Sequence, residues 1–317
     1  MRALLLACTA AVALTQAGCA SLDRFLGFEE KTCIGQAGPC TAAESISIGG
    51  VVRTYRVHLP ASHDGKSPQP AIVVLHGRLG SARSMERLTQ FQRASDAHGF
   101  VLIEPDGLYR SWADPRGVTP ASKHHVDDLQ FLTTLIDRLP KLYAVDRQQV
   151  SVAGMSNGAF MATALACQDS PKVSAVALVA GGFSDQSLAS CHPAKPVAVL
   201  MIEGDSDPFV PYAGGPMGDR GVAVGAIAGF HRWAELDGCS SPQTFDEFPD
   251  VSRKDDSTAY RFTRGGCEGG VRTELVTVQG GGHTWPGGPQ YLPESIVGRT
   301  DRDFDATELI STFLAEP

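Results

Sequence analysis

Five residues, Gly154-Met155-Ser156-Asn157-Gly158, constrain this chain more than any others. The run before them, Gln149-Val150-Ser151-Val152-Ala153, reads as a short buried strand. The run after them, Ala159-Phe160-Met161-Ala162-Thr163-Ala164-Leu165-Ala166, reads as a helix. A strand that turns at once into a helix leaves no room for side chains beside the apex, so the flanking positions must be glycine. Such a turn lifts a serine hydroxyl clear of the sheet and sets it at a helix N-terminus, where negative charge is favoured. With 34 glycines in the chain the bare pattern is weakly specific. The strand-to-helix context is what makes it a nucleophile elbow.

A nucleophilic serine needs a base, and the base needs an orienting carboxylate, in the chain order serine, acid, histidine for this kind of elbow. Past the next two strands only His231 and His283 remain. His231 lies in a segment of helical periodicity and reads as a helix-surface residue. His283 follows the strand-like Thr273-Glu274-Leu275-Val276-Thr277-Val278 in a glycine-rich loop that can carry it over the elbow, so it is the expected base. The acid sits in the loop after the buried strand 195–202, where Asp205 and Asp207 both qualify. Asp207 precedes a proline, which holds its backbone extended and aims the carboxylate; Asp205 is better placed to brace the turn. Oxyanion donors are expected from the backbone N–H of Asn157 and of Arg78, the latter in the loop after strand 70–75. His76, at the end of that strand, is expected to hold the loop.

These motifs, taken with Tyr109-Arg110-Ser111-Trp112-Ala113-Asp114, Val126-Asp127-Asp128, Asp207-Pro208-Phe209-Val210-Pro211-Tyr212 and Gly282-His283-Thr284-Trp285-Pro286-Gly287, resemble one family. It is the secreted esterase family that groups polyhydroxybutyrate depolymerases with feruloyl and acetylxylan esterases. The similarity runs from about Ser45 to the C-terminus. The resemblance implies an α/β-hydrolase fold, a Ser156–His283–Asp207 triad, and Arg78 and Asn157 as oxyanion donors. It implies a small or oligomeric ester as substrate and no cofactor or metal. In Arg78 this chain departs from the small residue usual in that loop. No polymer-binding module is appended.

Composition agrees with one globular enzyme. The chain has 317 residues, 43% hydrophobic and 20% charged, and alternates strands with helices, as α/β domains of this size do. A net charge of −8 without a basic run gives no electrostatic support for nucleic-acid binding. Residues 1–19 read as a signal peptide: a basic start, an apolar stretch too short to span a bilayer, and Gln16-Ala17-Gly18-Cys19, which resembles a lipoprotein cleavage site. Cys19 is then the lipidated residue and a point of membrane attachment, with ordinary cleavage near Ala20 as the alternative. Residues 20–44 read as a tether and 45–317 as the catalytic domain. Either cleavage places the enzyme outside the cytoplasm, secreted, periplasmic or lipid-anchored.

Six further cysteines form an even set suited to an oxidising compartment. Closeness in the chain and the family resemblance favour Cys33–Cys40, Cys167–Cys191 and Cys239–Cys267. No close Cys-x-x-Cys spacing supports zinc. The segment 45–59 reads as an edge hairpin turning at Gly49-Gly50, and 84–98 as one helix ended by Gly99. Trp112 and Trp285 are candidates for lining an acyl or aryl pocket, or else for packing between loops. Asp127 and Asp128 read as carboxylates capping a helix, in preference to a metal cluster with His124 and His125. The reading is thus a serine ester hydrolase of depolymerase or feruloyl esterase type. An acetylxylan esterase or an acyltransferase would use the same triad, and a non-catalytic surface adhesin is the different-class alternative.

Overall fold

Burial alternates along the strands with a period of two, and this sorts the core into two layers. In the strand Gln69–Leu75, Ala71, Val73 and Leu75 face one layer while Ile72 and Val74 face the other. The computed structural model describes residues 32–315. The expected signal segment 1–19, Cys19 and residues 20–31 of the tether lie outside the described residues.

In chain order the strands are β1 (Cys40–Ile48), β2 (Val51–Leu59), β3 (Gln69–Leu75), β4 (Val101–Pro105), β5 (Val145–Met155), β6 (Ala175–Val179), β7 (Ala198–Gly204), β8 (Gly214–Pro216), β9 (Val222–Val224), β10 (Thr244–Glu247), β11 (Thr258–Arg264) and β12 (Thr273–Gln279). Ten of them form one sheet in the order β1-β2-β4-β3-β5-β6-β7-β12-β11-β10. The six central strands, β4 to β12 in that order, run parallel, and antiparallel strands close both edges. This is an α/β-hydrolase sheet, flanked by helices on both faces as expected. The separate β8–β9 hairpin stands after β7.

The helices that matter here are α1 (Ala82–Thr89), α2 (Phe91–His98), α3 (Pro120–Lys123), α4 (Asp128–Tyr143) and α5 (Asn157–Gln168). Helix α4 buries Phe131, Leu132, Leu135, Ile136 and Leu139 at helical spacing against the sheet. Three expectations need correction. The single helix over 84–98 is two, because Gln90 adopts a left-handed conformation with φ 54° and ends α1. Asp127 caps α4 through the Gln130 N–H at 2.8 Å, but Asp128 does not cap it. Its buried carboxylate takes Arg53 Nη2 at 2.6 Å and the Ala113 N–H at 2.7 Å, and so fastens the loop after β4 to the sheet edge.

The third correction is the domain start. A boundary at Ser45 falls inside β1, and the folded unit begins at Cys33. Cys33 is fully buried and bonded to Cys40, and the Gly35 N–H donates to Leu142 O at 3.0 Å. All three expected disulfides are present, and Cys167–Cys191 holds the end of α5 behind the elbow. Reduction should therefore lower the melting temperature, since each cross-link restricts the unfolded chain by roughly 2–4 kcal/mol in the loop-entropy account. Melts with and without reductant check this, and an unchanged midpoint would contradict it.

Glu104 of β4 supplies a second expectation. It pairs across the strand with Arg56, and burial pushes its carboxyl up to about 8, with Glu86 adding to the rise. Its Oε1 has no hydrogen-bond partner. The folded state therefore keeps a proton that the unfolded chain releases from the ordinary 4.5 upward. Stability is fully present below that value and falls as pH rises toward about 8, by at most about 1.4 kcal/mol per pH unit. Glu104→Gln should flatten this slope in denaturant titrations at pH 5 and pH 8.5. An unaltered slope would assign it to another group.

Candidate active site

Ser156 sits at the turn between β5 and α5 with φ 54° and ψ −119°, a combination that few non-glycine residues adopt. The turn is possible because a Cβ on Gly154 would run into the backbone of Gly158, and one on Gly158 into the backbone of Leu75. The Ser156 N–H is fixed to Val179 O at 2.8 Å. Its carbonyl takes the Ala159 N–H at 2.9 Å, which starts the helix.

Because β5, β7 and β12 are parallel, the residues that follow them emerge at one edge of the sheet. Ser156 follows β5, Asp207 follows β7 and His283 follows β12, the general place for sites in open α/β sheets. Asp207 Oδ2 meets His283 Nδ1 at 2.6 Å, with both side chains almost fully buried. The other carboxylate oxygen accepts the Phe209 and Val210 N–H groups at 2.7 and 2.9 Å. Asp205 does the bracing expected of it: its carboxylate accepts the Gly280 N–H at 2.8 Å, which ties the two loops together. His283 is pinned further by its own N–H on Val297 O at 2.6 Å and by the Tyr291 hydroxyl on its carbonyl at 2.8 Å. Ser156 Oγ has no hydrogen bond to a protein group among the described residues, and the same holds for His283 Nε2.

The loop after β3 lies against the elbow: a Cβ on Gly77 would stand 3.5 Å from Ser156 Cβ. His76 holds this loop as expected. Its Nε2 accepts the Gly107 N–H at 2.9 Å, which leaves Nδ1 to donate to Gly77 O at 2.8 Å. Burial lowers its pKa, so it stays neutral in that tautomer. Neither the Arg78 N–H nor the Asn157 N–H has a protein acceptor among the described residues. The Arg78 side chain is exposed.

Both tryptophans are buried, and Trp285 lines a cavity with Leu88, Arg93 and Asp305 whose walls do not include Ser156, Asp207 or His283. Trp112 is wholly buried, with Nε1 donating to His76 O at 2.8 Å. Trp285 is 1% exposed, packs edge-on to Phe91 and donates to Thr307 Oγ1 at 2.9 Å. Both rings found an internal acceptor for their N–H, and so brace loops. His124 stacks on Tyr109 at 4.0 Å instead of joining a metal cluster, and no group of metal-ligating residues occurs among the described residues.

Sequence reasoning missed what holds the Asn157 side chain. Its Oδ1 accepts the Trp112 N–H at 2.8 Å, and its Nδ2 donates to Asp114 Oδ2 at 2.6 Å. Asp114 in turn pairs with Arg116, whose guanidinium lies 3.8 Å over the Phe160 ring of α5. The Tyr109–Asp114 motif marked the place, but nothing in its spacing gave the partners. Glu203, at the end of β7, was also missed. Its side chain is fully enclosed and accepts the Gly181 N–H at 3.1 Å. Burial, with the nearby Asp207 adding to it, raises its pKa well above the ordinary carboxylate range.

No family model matches the chain. Among curated proteins, "Putative esterase NocK" of Nocardia uniformis subsp. tsuyamanensis is 30% identical over 318 residues, covering 96% of this chain and 90% of that protein. Feruloyl esterase B of Piromyces equi is 27% identical over 237 residues, 73% of this chain and 42% of that protein. The solved acetyl xylan esterase from Aspergillus awamori superposes with a TM-score of 0.53 at 13% identity, over 77% of this chain and 94% of that one, and shares the fold. The chain belongs to the α/β-hydrolase esterase family that includes the feruloyl esterases, and it is a carboxylic ester hydrolase.

Proposed function

We propose that this enzyme is an extracytoplasmic serine esterase of the feruloyl esterase or polyhydroxybutyrate depolymerase type, working through Ser156, His283 and Asp207. The observation that carries the reading is the 2.6 Å Asp207–His283 pair, borne on the same sheet edge as a serine at a strained strand-to-helix turn. His283 Nε2 takes the proton of Ser156 as Oγ attacks the ester carbonyl, and Asp207 stabilises the imidazolium. The N–H groups of Asn157 and Arg78 receive the oxyanion, for which their lack of other acceptors suits them. His283 returns the proton to the leaving alcohol, and water repeats the sequence to release the acid.

A fluorophosphonate label followed by peptide mapping should modify Ser156 alone. A label on another residue would sink the assignment. An added acceptor alcohol separates hydrolysis from acyl transfer, and a panel of aryl esters, methyl ferulate, acetylated xylan and hydroxybutyrate oligomers sorts the substrate. The three disulfides support an oxidising compartment. Mass analysis of the mature N-terminus decides between lipidated Cys19 and a free end near Ala20.

A further inference from the structure

A single stretch of the loop after β4, residues 110–116, holds both candidate oxyanion donors. On the Arg78 side, Trp112 Nε1 donates to His76 O at 2.8 Å, and the Leu79 N–H donates to Arg110 O at 2.8 Å. The peptide of Arg78 therefore hangs between two hydrogen bonds to the same stretch. On the Asn157 side, the side-chain amide is gripped at both ends. Its Oδ1 accepts the Trp112 N–H at 2.8 Å, and its Nδ2 donates to Asp114 Oδ2 at 2.6 Å and to Trp112 O at 3.1 Å.

The stretch is itself over-determined. Ser111 and Trp112 are wholly buried. Asp128 takes the Ala113 N–H, Ser111 Oγ accepts the Ala121 N–H at 3.0 Å, and Thr119 Oγ1 donates to Trp112 O at 2.8 Å. Tyr109 and Arg110 lead into it with φ 55° each, a conformation that residues other than glycine keep only where their surroundings enforce it. The Asp114 carboxylate meets only donors. Arg116 N–H and Nε reach Oδ1 at 2.9 Å, while Arg116 Nη2 and Asn157 Nδ2 reach Oδ2 at 2.6 Å. This fixes the Asn157 amide one way round, with its oxygen toward the Trp112 N–H.

We propose that residues 110–116 form a rigid bracket that sets the spacing of the Arg78 and Asn157 N–H groups, with Asp114 as its positioning residue. The inference rests on the triad and oxyanion reading above and deepens it. Donors aimed at a developing charge are effective because they need no rearrangement as the reaction proceeds. Here the two donors come from separate loops, one after β3 and one after β5, and no covalent neighbour keeps them in step. The bracket does. The Asp114 side chain is fully enclosed, so it acts through the side chain of Asn157 and not on the substrate.

The test is a double-mutant cycle on the whole enzyme. It is read with a p-nitrophenyl ester and with phenylboronic acid, whose adduct with a serine hydroxyl is a tetrahedral anion. Asp114→Asn turns an amide NH₂ against a donor, and Asn157→Ala removes the link while keeping the backbone N–H. Each should lower kcat by about tenfold to a hundredfold, the scale of a misplacement of about 1 Å or less. KM should move by less than about twofold, while the boronate Ki rises by the factor by which kcat falls, as a transition-state mimic should. A loss of stability alone would not separate Ki from KM in this way. The double variant should be no worse than the poorer single one, since both changes cut one link. Losses that multiply, or a boronate Ki unchanged in Asn157→Ala, would overturn the proposal. If Asp114→Asn does not fold, Asn157→Ala carries the test alone, because it leaves the Asp114–Arg116 pair in place. Failure of the triad reading is seen separately, as hydrolysis that survives Ser156→Ala.

Discussion

Ser156→Ala is expected to reduce turnover of a p-nitrophenyl ester by roughly six orders of magnitude, the scale on which removing a triad nucleophile acts. What remains over the uncatalysed rate comes from binding and from the oxyanion donors. Folding should survive intact. The hydroxyl makes no protein hydrogen bond among the described residues, and alanine inherits the same backbone at φ 54°. The strain of that conformation, of order 1–3 kcal/mol, belongs to the side-chain-bearing backbone and not to the hydroxyl. Ser156→Gly should therefore be equally inactive and melt higher than the wild type. Near-normal hydrolysis by Ser156→Ala would remove the elbow from the mechanism, whatever its geometry.

Asp207→Asn is expected to cost on the order of 10⁴ in kcat. The reason lies in the hydrogen bonds around the carboxylate. One oxygen is held by the Phe209 and Val210 N–H groups, both donors, so an asparagine would keep its carbonyl oxygen there. Its amide NH₂ would then face His283 Nδ1, where Asp207 Oδ2 now stands. Nδ1 would have to accept, Nε2 would carry the proton, and the base would hold the wrong tautomer. Melting should change far less than activity, because the two backbone bonds persist. Asp205→Asn is the control: its exposed carboxylate accepts the Gly280 N–H, a bond an amide oxygen can keep, so it should cost little. If Asp205→Asn proves the more damaging of the two in kcat, the acid has been misassigned.

The residues of the elbow were legible in the sequence because their reasons are local. A strand, a turn too tight for a Cβ and a helix follow one another within a few residues, and only glycine satisfies the flanks. The order of acid and base after it, and the choice of Asp207 over Asp205, rested on the same kind of argument: a proline fixing one backbone, a turn needing one brace. The parallel sheet followed from strands alternating with helices, and the edge hairpin from the turn at Gly49-Gly50.

Other features depend on which segments meet, and no local pattern encodes that. Trp112 and Trp285 had the composition of pocket walls, yet each found a carbonyl or hydroxyl acceptor inside the protein and was buried for it. Asp128 stood where a helix cap belongs, but Arg53, 75 residues earlier, supplied a stronger partner than the helix end. A left-handed Gln90 split a helix whose periodicity ran on unbroken. The domain start moved back to Cys33 because a disulfide and a hydrogen bond to the end of α4 drew the segment in. The chain from Asn157 through Asp114 and Arg116 to Arg220 joins three loops that lie far apart in sequence. The sequence alone determined the geometry of the elbow, since backbone sterics within a few residues dictate it. Only the tertiary structure decided which charges are paired with which, because pairing is settled by long-range packing.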